Sequence, residues 1–322
     1  MTAVGRAGAP YYIKLGYVPF DIGINETAAR TLEYAYDDFA IYQLAKALNK
    51  PKKEIELYKK RSLNYKNLYD SGHKLMRGKD SKRSWRTPFS PFDWGGDFTE
   101  GNSLHYSWSV FHDMQGLIDL MGGNHVFVSQ LDAVFSLPPI FGDKYYGGVI
   151  HEIREMQIAG MGQYAHGNQP IQHMTYLYDY AGAPWKTQYW VRETMNRMYT
   201  PDADGYCGDE DNGQTSAWYV FSAMGFYPVA PATDQYVIGA PLFKKTTIHL
   251  ENGNEIVINA EDNNDQNRYI NAMKINGKTY TKNWLSHKEL VKGSVLDFDM
   301  SDVPNKSRGL SKEDLPYSLS NE

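Results

Sequence analysis

Residues 205–228 read GYCGDEDNGQTSAWYVFSAMGFYP, and here the chain passes from one kind of structure to another. Asp209, Glu210 and Asp211 stand in a row in a turn-rich segment. Beyond them Ala217, Trp218, Val220, Phe221 and Met224 recur at mixed three- and four-residue steps, which predicts a largely buried helix over 214–224. Gly225 and Pro228 supply its stop signals. The three acids therefore lie on the loop entering a helix, close to the positive end of its dipole. Solvated surface acids are rarely set between glycines and followed by Trp-Tyr-Val-Phe, so the segment reads as a site.

Upstream of this stretch the pattern is helical. Residues 1–25 scatter Gly and Pro among aromatics and read as irregular. From 27 to 48, Leu32, Ala35, Tyr36, Phe39, Leu44 and Leu48 mark one broad face of a helix. Pro51 opens a second helix running to about residue 69, so that the two form an αα-hairpin. A long loop, 70–104, ends in SPFDWGGDFTEGNS; its Phe92, Trp94 and Phe98 argue for a functional loop over a disordered one. Helical patterns resume at 105–121, 124–136, 147–161, 170–181 and 186–199. About eight helices thus alternate with loops and no strand intervenes, the pattern of stacked helix pairs in α-solenoids and α/α toroids. Downstream of Val229 the character changes. Asn252-Gly253 and Asn276-Gly277 are two-residue hairpin signals between alternating runs, and Lys292-Gly293 is a weaker third. The expected organisation is a helical domain over 1–230, a small antiparallel β unit over 231–300 and a polar tail over 301–322.

Composition narrows the function. A net charge of −5, from 33 basic and 38 acidic residues, argues against nucleic acid or an anionic membrane as the main partner. The aromatic content is high, with 25 Tyr, 13 Phe and 7 Trp, and fits either a large core or a cleft that stacks on sugar rings. The single cysteine, Cys207, excludes an intrachain disulfide framework and a cysteine-only zinc site. No apolar run has the length of a membrane span, and the N-terminus carries no signal-peptide pattern as it stands.

Each of the remaining motifs has a bland alternative. Asp202-x-Asp204-Gly205 suggests a calcium loop, but an EF-hand wants glycine at its sixth position and glutamate at its twelfth, where Cys207 and Gly213 fall. Asp209 and Asp211 read instead as an acid–base or substrate-binding pair. Glu100, in DFTEGN, would be an ordinary solvated acid in another loop. With Trp94-Gly95-Gly96 before it and Asn102 after it, a catalytic acid becomes more plausible. His151-Glu152 resembles half of a zinc-binding H-E-x-x-H, but position 155 holds Glu155, which rejects that reading. Asn168-Gln169 either bind hydroxyls or a hard cation, or cap the helix that follows. Asn25-Glu26-Thr27 and Asn305-Lys306-Ser307 match the glycosylation sequon, a weak pattern.

Five longer motifs together resemble glycoside hydrolase family 92, the calcium-dependent exo-acting α-mannosidases. They are TLEYAYDDFAIYQLAKAL (31–48), GGDFTEGNSLHYSW (95–108), HEIREM (151–156), GNQP with YLYDYAGAPWKTQ (167–188), and GDEDNGQTSAWYVFSAMGFYPV (208–229). The resemblance covers about residues 10–300. It implies part of an (α/α)6 toroid and inverting hydrolysis of terminal α-mannosides. Carried over residue by residue, it makes Glu100 the general acid, Asp209 and Asp211 the base and its partner, and His151 and Glu152 the lining of the leaving-sugar subsite of α-1,2-cleaving members. Trp94, Asn102, Asn168 and Gln169 are candidate substrate contacts; Glu155, Asn168 and Gln169 are candidate ligands for a calcium that contacts the sugar's O2 and O3. The family implies a periplasmic or extracellular setting. Its members are longer, with an N-terminal β-sandwich that completes the pocket, so this chain resembles their C-terminal part, and a catalytically incomplete glycan-binding fragment is the alternative reading.

Overall fold

In the computed structural model, which describes residues 5–322, the helical part begins earlier than the composition suggests. Ala9–Leu15 is a helix, with Pro10 in its first turn and Gly16 at φ 82° ending it. Proline there gives up an N–H that no helix would have used, so what reads as a breaker is a start signal. The division of the chain does not coincide with the change from helix to strand near residue 230. One unit comprises the chain up to Gly123 together with Asp132–Ile171, and the other comprises Asn124–Leu131 and Gln172–Glu322.

The first unit is organised on the helix Thr27–Ala47, which buries Ala28, Leu32, Ala35, Phe39, Tyr42 and Ala45 along one face. Asp38 lies on that face too, with no exposure. Its carboxylate accepts from Arg6 at 2.7 Å, Arg61 at 2.9 Å and the Tyr12 hydroxyl at 3.1 Å. Three segments are thereby tied to one buried charge. The partner helix of the expected hairpin is present as Lys52–Arg61, but from Ser62 to Leu68 it tightens into a 3-10 helix. Its buried residues, Ser62, Tyr65 and Leu68, fall at three-residue steps, the period of a 3-10 turn and not of an α-helix. The helix expected at 105–121 is two short ones, Ser103–Tyr106 and Met114–Met121. Asp113 starts the second by accepting from the Gly116 N–H. Two two-residue strands, Tyr69–Asp70 and Leu75–Met76, pair antiparallel within the region expected to hold none.

In the second unit the helices Pro184–Met198 and Gln214–Met224, and the 3-10 stretch Gln169–Ala181 from Gln172 on, agree with the expected segments. A three-stranded antiparallel sheet joins Phe226–Tyr227, Gln235–Ile238 and Trp284–Ser286. A five-stranded sheet runs in the order Lys245–His249, Glu255–Asn259, Ser294–Ser301, Tyr269–Ile275, Lys278–Thr279. Its pairs are antiparallel except one: Ser294–Ser301 lies parallel to Glu255–Asn259. The last strand enters between two hairpins, running with Glu255–Asn259 and against Tyr269–Ile275. It alternates cleanly, burying Leu296, Phe298 and Met300 against Ile256, Ile258, Ile270 and Met273.

The turn chemistry is borne out at Asn276-Gly277, a tight link with both residues at positive φ (51° and 77°) between paired strands. Asn252-Gly253 belongs to a longer connection, because the strands stop at His249 and restart at Glu255. Lys292-Gly293 joins the one-turn helix His287–Leu290 to a strand and is no hairpin. The segment 301–322, expected as a polar tail, packs. Arg308 donates to Asn283 at 3.1 Å and to the Lys282 carbonyl at 2.9 Å. Asp314 accepts from Thr281 at 2.6 Å, and Leu319 is buried. Its polar residues are matched internally, which composition does not reveal.

Two outcomes test the first unit. Asp38→Asn leaves Arg61 without its counter-charge and Arg6 with Asp37 alone at 3.2 Å, and is expected to lower unfolding free energy by on the order of 3 kcal/mol in urea titration. His105 and His112 are pushed down to about 4, and His166 to about 3, by burial. They are neutral in the fold, whereas the unfolded chain protonates near 6.5. Stability is therefore complete above that pH and lost progressively as pH falls toward about 4, read as a falling denaturation midpoint between pH 7.5 and 4.5.

Candidate functional site

The loop that carries Glu100 is held by its own backbone. Trp94 N–H donates to the Gly142 carbonyl at 2.8 Å, Gly142 N–H to Phe92 at 2.9 Å, and Gly95 N–H to Gly101 at 2.9 Å. Gly95 and Gly96 take φ of 80° and 69°; a side chain at Gly95 would collide with the Tyr145 ring. Glu100 itself sits at φ 45°, an uncommon left-handed conformation for a side chain of its kind, and its side chain is exposed. Two side chains hold that conformation. The Tyr146 hydroxyl accepts from the Glu100 N–H at 2.7 Å, and Asn168 Nδ2 donates to the Glu100 carbonyl. Burial, joined by the charges of Glu100 and Glu26, pushes the Tyr146 phenol up to about 12 against the effect of that hydrogen bond, so it stays protonated and neutral.

Around this loop the expected contacts divide. Asn102 is fully buried, caps Ser103–Tyr106 by accepting from His105 N–H, and donates to Gln163, so its amide is engaged by the fold. Trp94 is also nearly all buried, packed edge-on to His105, with its Nε1 lacking a hydrogen-bond partner. One edge lines a cavity shared with Arg86, Phe89, Asp97 and Tyr145. Asn168 does not cap the helix after it with its side chain; the side chain goes to Glu100.

On the helix His151–Ala159, His151 lies between two carboxylates, 3.2 Å from Glu152 and 3.1 Å from Glu155. Each of these acids keeps a second, buried Oε2 with no hydrogen-bond partner. An unmatched buried carboxylate oxygen is costly, and each of these can accept from a donor or bind a cation. Among the described residues no cluster of three or more His, Cys, Asp and Glu is arranged to hold a metal ion. Any hard cation here would thus draw on amide oxygens as well as carboxylate.

The acidic turn of the second unit is built on the same plan as the Glu100 loop. Asp211, Asn212 and Gly213 take successive positive φ values of 42°, 58° and 97°. The middle acid, Glu210, has a task the sequence did not suggest. It accepts from the Ser216 N–H at 3.2 Å and from the Ser216 hydroxyl, closing the N-terminus of Gln214–Met224 from outside. The Asp209 carbonyl accepts from Thr215 at 2.8 Å. Trp218, fully buried, anchors the helix by donating to the Gln172 carbonyl at 3.0 Å, although Val220 is about half exposed. Asp209 and Asp211 are thereby left exposed on either side of a fixed glutamate. Non-glycine residues at positive φ occur at both acidic sites, and such strain concentrates where function demands it. Tyr146 and Glu210 were missed from sequence; the only signal for the first is an aromatic pair before Gly147-Gly148.

Residues 1–302 match the model of the glycosyl hydrolase family 92 catalytic domain. A solved family GH92 inverting mannosidase from Bacteroides thetaiotaomicron is 52% identical, with a TM-score of 0.88 over 99% of this chain and 43% of its own. A GH92 alpha-mannosidase from the same organism, solved with mannoimidazole, is 39% identical, with a TM-score of 0.88 over 96% of this chain and 40% of its own. An uncharacterized secreted glycosidase from Arthroderma benhamiae is 27% identical over 98% of this chain and 41% of its length. The chain spans about two fifths of these relatives.

Glu210→Ala removes the acceptor for Ser216 and is expected to cost about 1 kcal/mol of stability, as loss of a helix cap does. Faster amide exchange confined to the first turn of Gln214–Met224 is the accompanying signature.

Proposed function

The chain belongs to glycosyl hydrolase family 92, and from that premise we propose that it supplies the acid–base residues of an inverting, exo-acting α-mannosidase that removes terminal α-1,2-linked mannose from glycans. The observation that carries this reading is the exposed carboxyl side chain of Glu100 on a left-handed backbone position held from both sides. Protonated Glu100 donates to the glycosidic oxygen as its bond to C1 breaks. The Asp209–Asp211 pair takes the proton of the water that attacks C1 from the opposite face, so the anomeric configuration inverts. The two aspartates titrate as a pair, and their acidity belongs to both. His151 and Glu152 receive the departing sugar and favour the α-1,2 link.

Calcium is the proposed cofactor. What supports it is donor chemistry: Glu155 has an unmatched buried carboxylate oxygen, and Asn168, with its Nδ2 on Glu100, and Gln169 carry amide oxygens, all of them donors that suit a hard cation. These three would hold the ion. When bound it supplies Lewis-acid contact to the sugar's O2 and O3 hydroxyls. Export from the cell is part of the proposal, supported by the description of the Arthroderma relative as secreted. Among the described residues no helix is long and apolar enough to cross a membrane.

A second reading is glycan binding without turnover. Incubation with α-1,2-mannobiose separates the two. The hydrolase releases β-mannose first, by proton NMR, loses activity in chelator, and drops by about a hundredfold or more in Glu100→Gln. Release of α-mannose, or turnover indifferent to that substitution, sinks the mechanism, and binding without turnover selects the second reading.

A further inference from the structure

We propose that Tyr146 is a positioning residue that sets the main-chain conformation of Glu100 and, through it, the aim of the Glu100 carboxyl group. The inference rests on the reading of Glu100 as the proton donor for its catalytic meaning, but its structural half stands alone. The two peptide groups that flank Glu100 are bonded by side chains from elsewhere in the sequence: Tyr146 on the Glu100 N–H and Asn168 on the Glu100 carbonyl. Neither bond belongs to a helix or a sheet. The Tyr106 hydroxyl donates to the Thr99 carbonyl at 2.8 Å, so the φ of 45° at Glu100 is set with Tyr146 holding the N–H side of the same peptide that Tyr106 holds by its carbonyl.

The loop bearing Tyr146 is suited to that work. Tyr146 and Gly147 N–H both donate to the Asp143 carbonyl, at 3.2 and 3.1 Å, which folds 143–147 into a turn. One end of the loop is tied to the Glu100 loop through Gly142, whose N–H and carbonyl pair with Phe92 and Trp94. Tyr145 closes over Gly95, with its ring edge-on to Tyr146 at 5.0 Å. The hydroxyl of Tyr146 then reaches Glu100 as the second point of attachment. Because the loop leads into the helix His151–Ala159, the same segment joins the proton donor to the pair His151 and Glu152. A phenol is a fitting choice. It accepts the N–H through a neutral oxygen and adds no negative charge beside Glu100.

Tyr146→Phe removes one oxygen and leaves the ring to pack, with Tyr145→Phe as the matched control. Proton donation matters for a sugar leaving group and hardly at all for fluoride. In Tyr146→Phe, kcat on α-1,2-mannobiose should therefore fall about tenfold to a hundredfold with KM nearly unchanged, as for a small misplacement of a catalytic group. Turnover of α-mannosyl fluoride should hold within about twofold, since that leaving group needs no general acid. Equal losses on both substrates, or a loss in KM alone, overturn the proposal. A second arm needs no activity: hydrogen exchange in the peptide spanning Glu100 should quicken in Tyr146→Phe and not in Tyr145→Phe. Unchanged exchange also overturns it. Quickened exchange in a protein that hydrolyses neither substrate upholds the hold on Glu100 and refutes the catalytic reading instead.

Discussion

A carboxylate with no access to water, Asp38, is the constraint around which the first unit is assembled. Burying a charge is tolerable only where opposite charge and hydrogen bonds replace the lost hydration, and here Arg6, Arg61 and Tyr12 do so. Because those three come from separate segments, the helix Ala9–Leu15, the helix Thr27–Ala47 and the end of Lys52–Arg61 must meet in one arrangement. Apolar contacts alone would allow the helices to slide. The 3-10 turn that follows is fixed in the same way, with Tyr65 donating to Asp113 at 2.7 Å and His112 bonded to the Ser62 carbonyl at 2.8 Å.

The two acidic loops share a construction. Each holds an exposed acid, Glu100 or Asp211, at a backbone position that L-residues rarely adopt, and each is steadied by side chains bonded to the loop. Tyr146 and Asn168 serve Glu100, and Glu210 with Thr215 serves the aspartates. A proton donor works through its direction as much as its acidity, so rigidity of the main chain is a functional property. The unmatched oxygens of Glu152 and Glu155 are the complementary feature, since they carry a cost that a bound partner relieves.

Legibility differed by kind of signal. Helix segments with sustained periodicity, such as 27–48 and 214–224, were read to within a residue or two. Asn276-Gly277 was read correctly because a two-residue link needs positive φ at both positions and the residue types say so. Lys292-Gly293 carried a weaker version of the signal and formed a different turn. The helix Ala9–Leu15 was missed because its proline reads as a breaker until its place in the first turn is known. Asn102 stands beside Glu100 in a suggestive motif, and in the fold it is buried and caps a helix with His105. Short polar side chains cap helices and bind sugars with the same atoms, so type and position do not separate the two roles.

Sequence by itself determined the mainly helical class, the change to strands near residue 230, and the candidate acids, because periodicity and motif order are properties of neighbours along the chain. It also carried the family, which the match over residues 1–302 bears out. Tertiary structure alone decided the parallel pairing of Ser294–Ser301 with Glu255–Asn259, the packing of the C-terminal segment, and the partners of Glu100. Tyr146 lies 46 residues from Glu100 and Asn168 lies 68. Hydrogen bonds across such separations obey no local period: they exist only once the backbone has brought their atoms within reach.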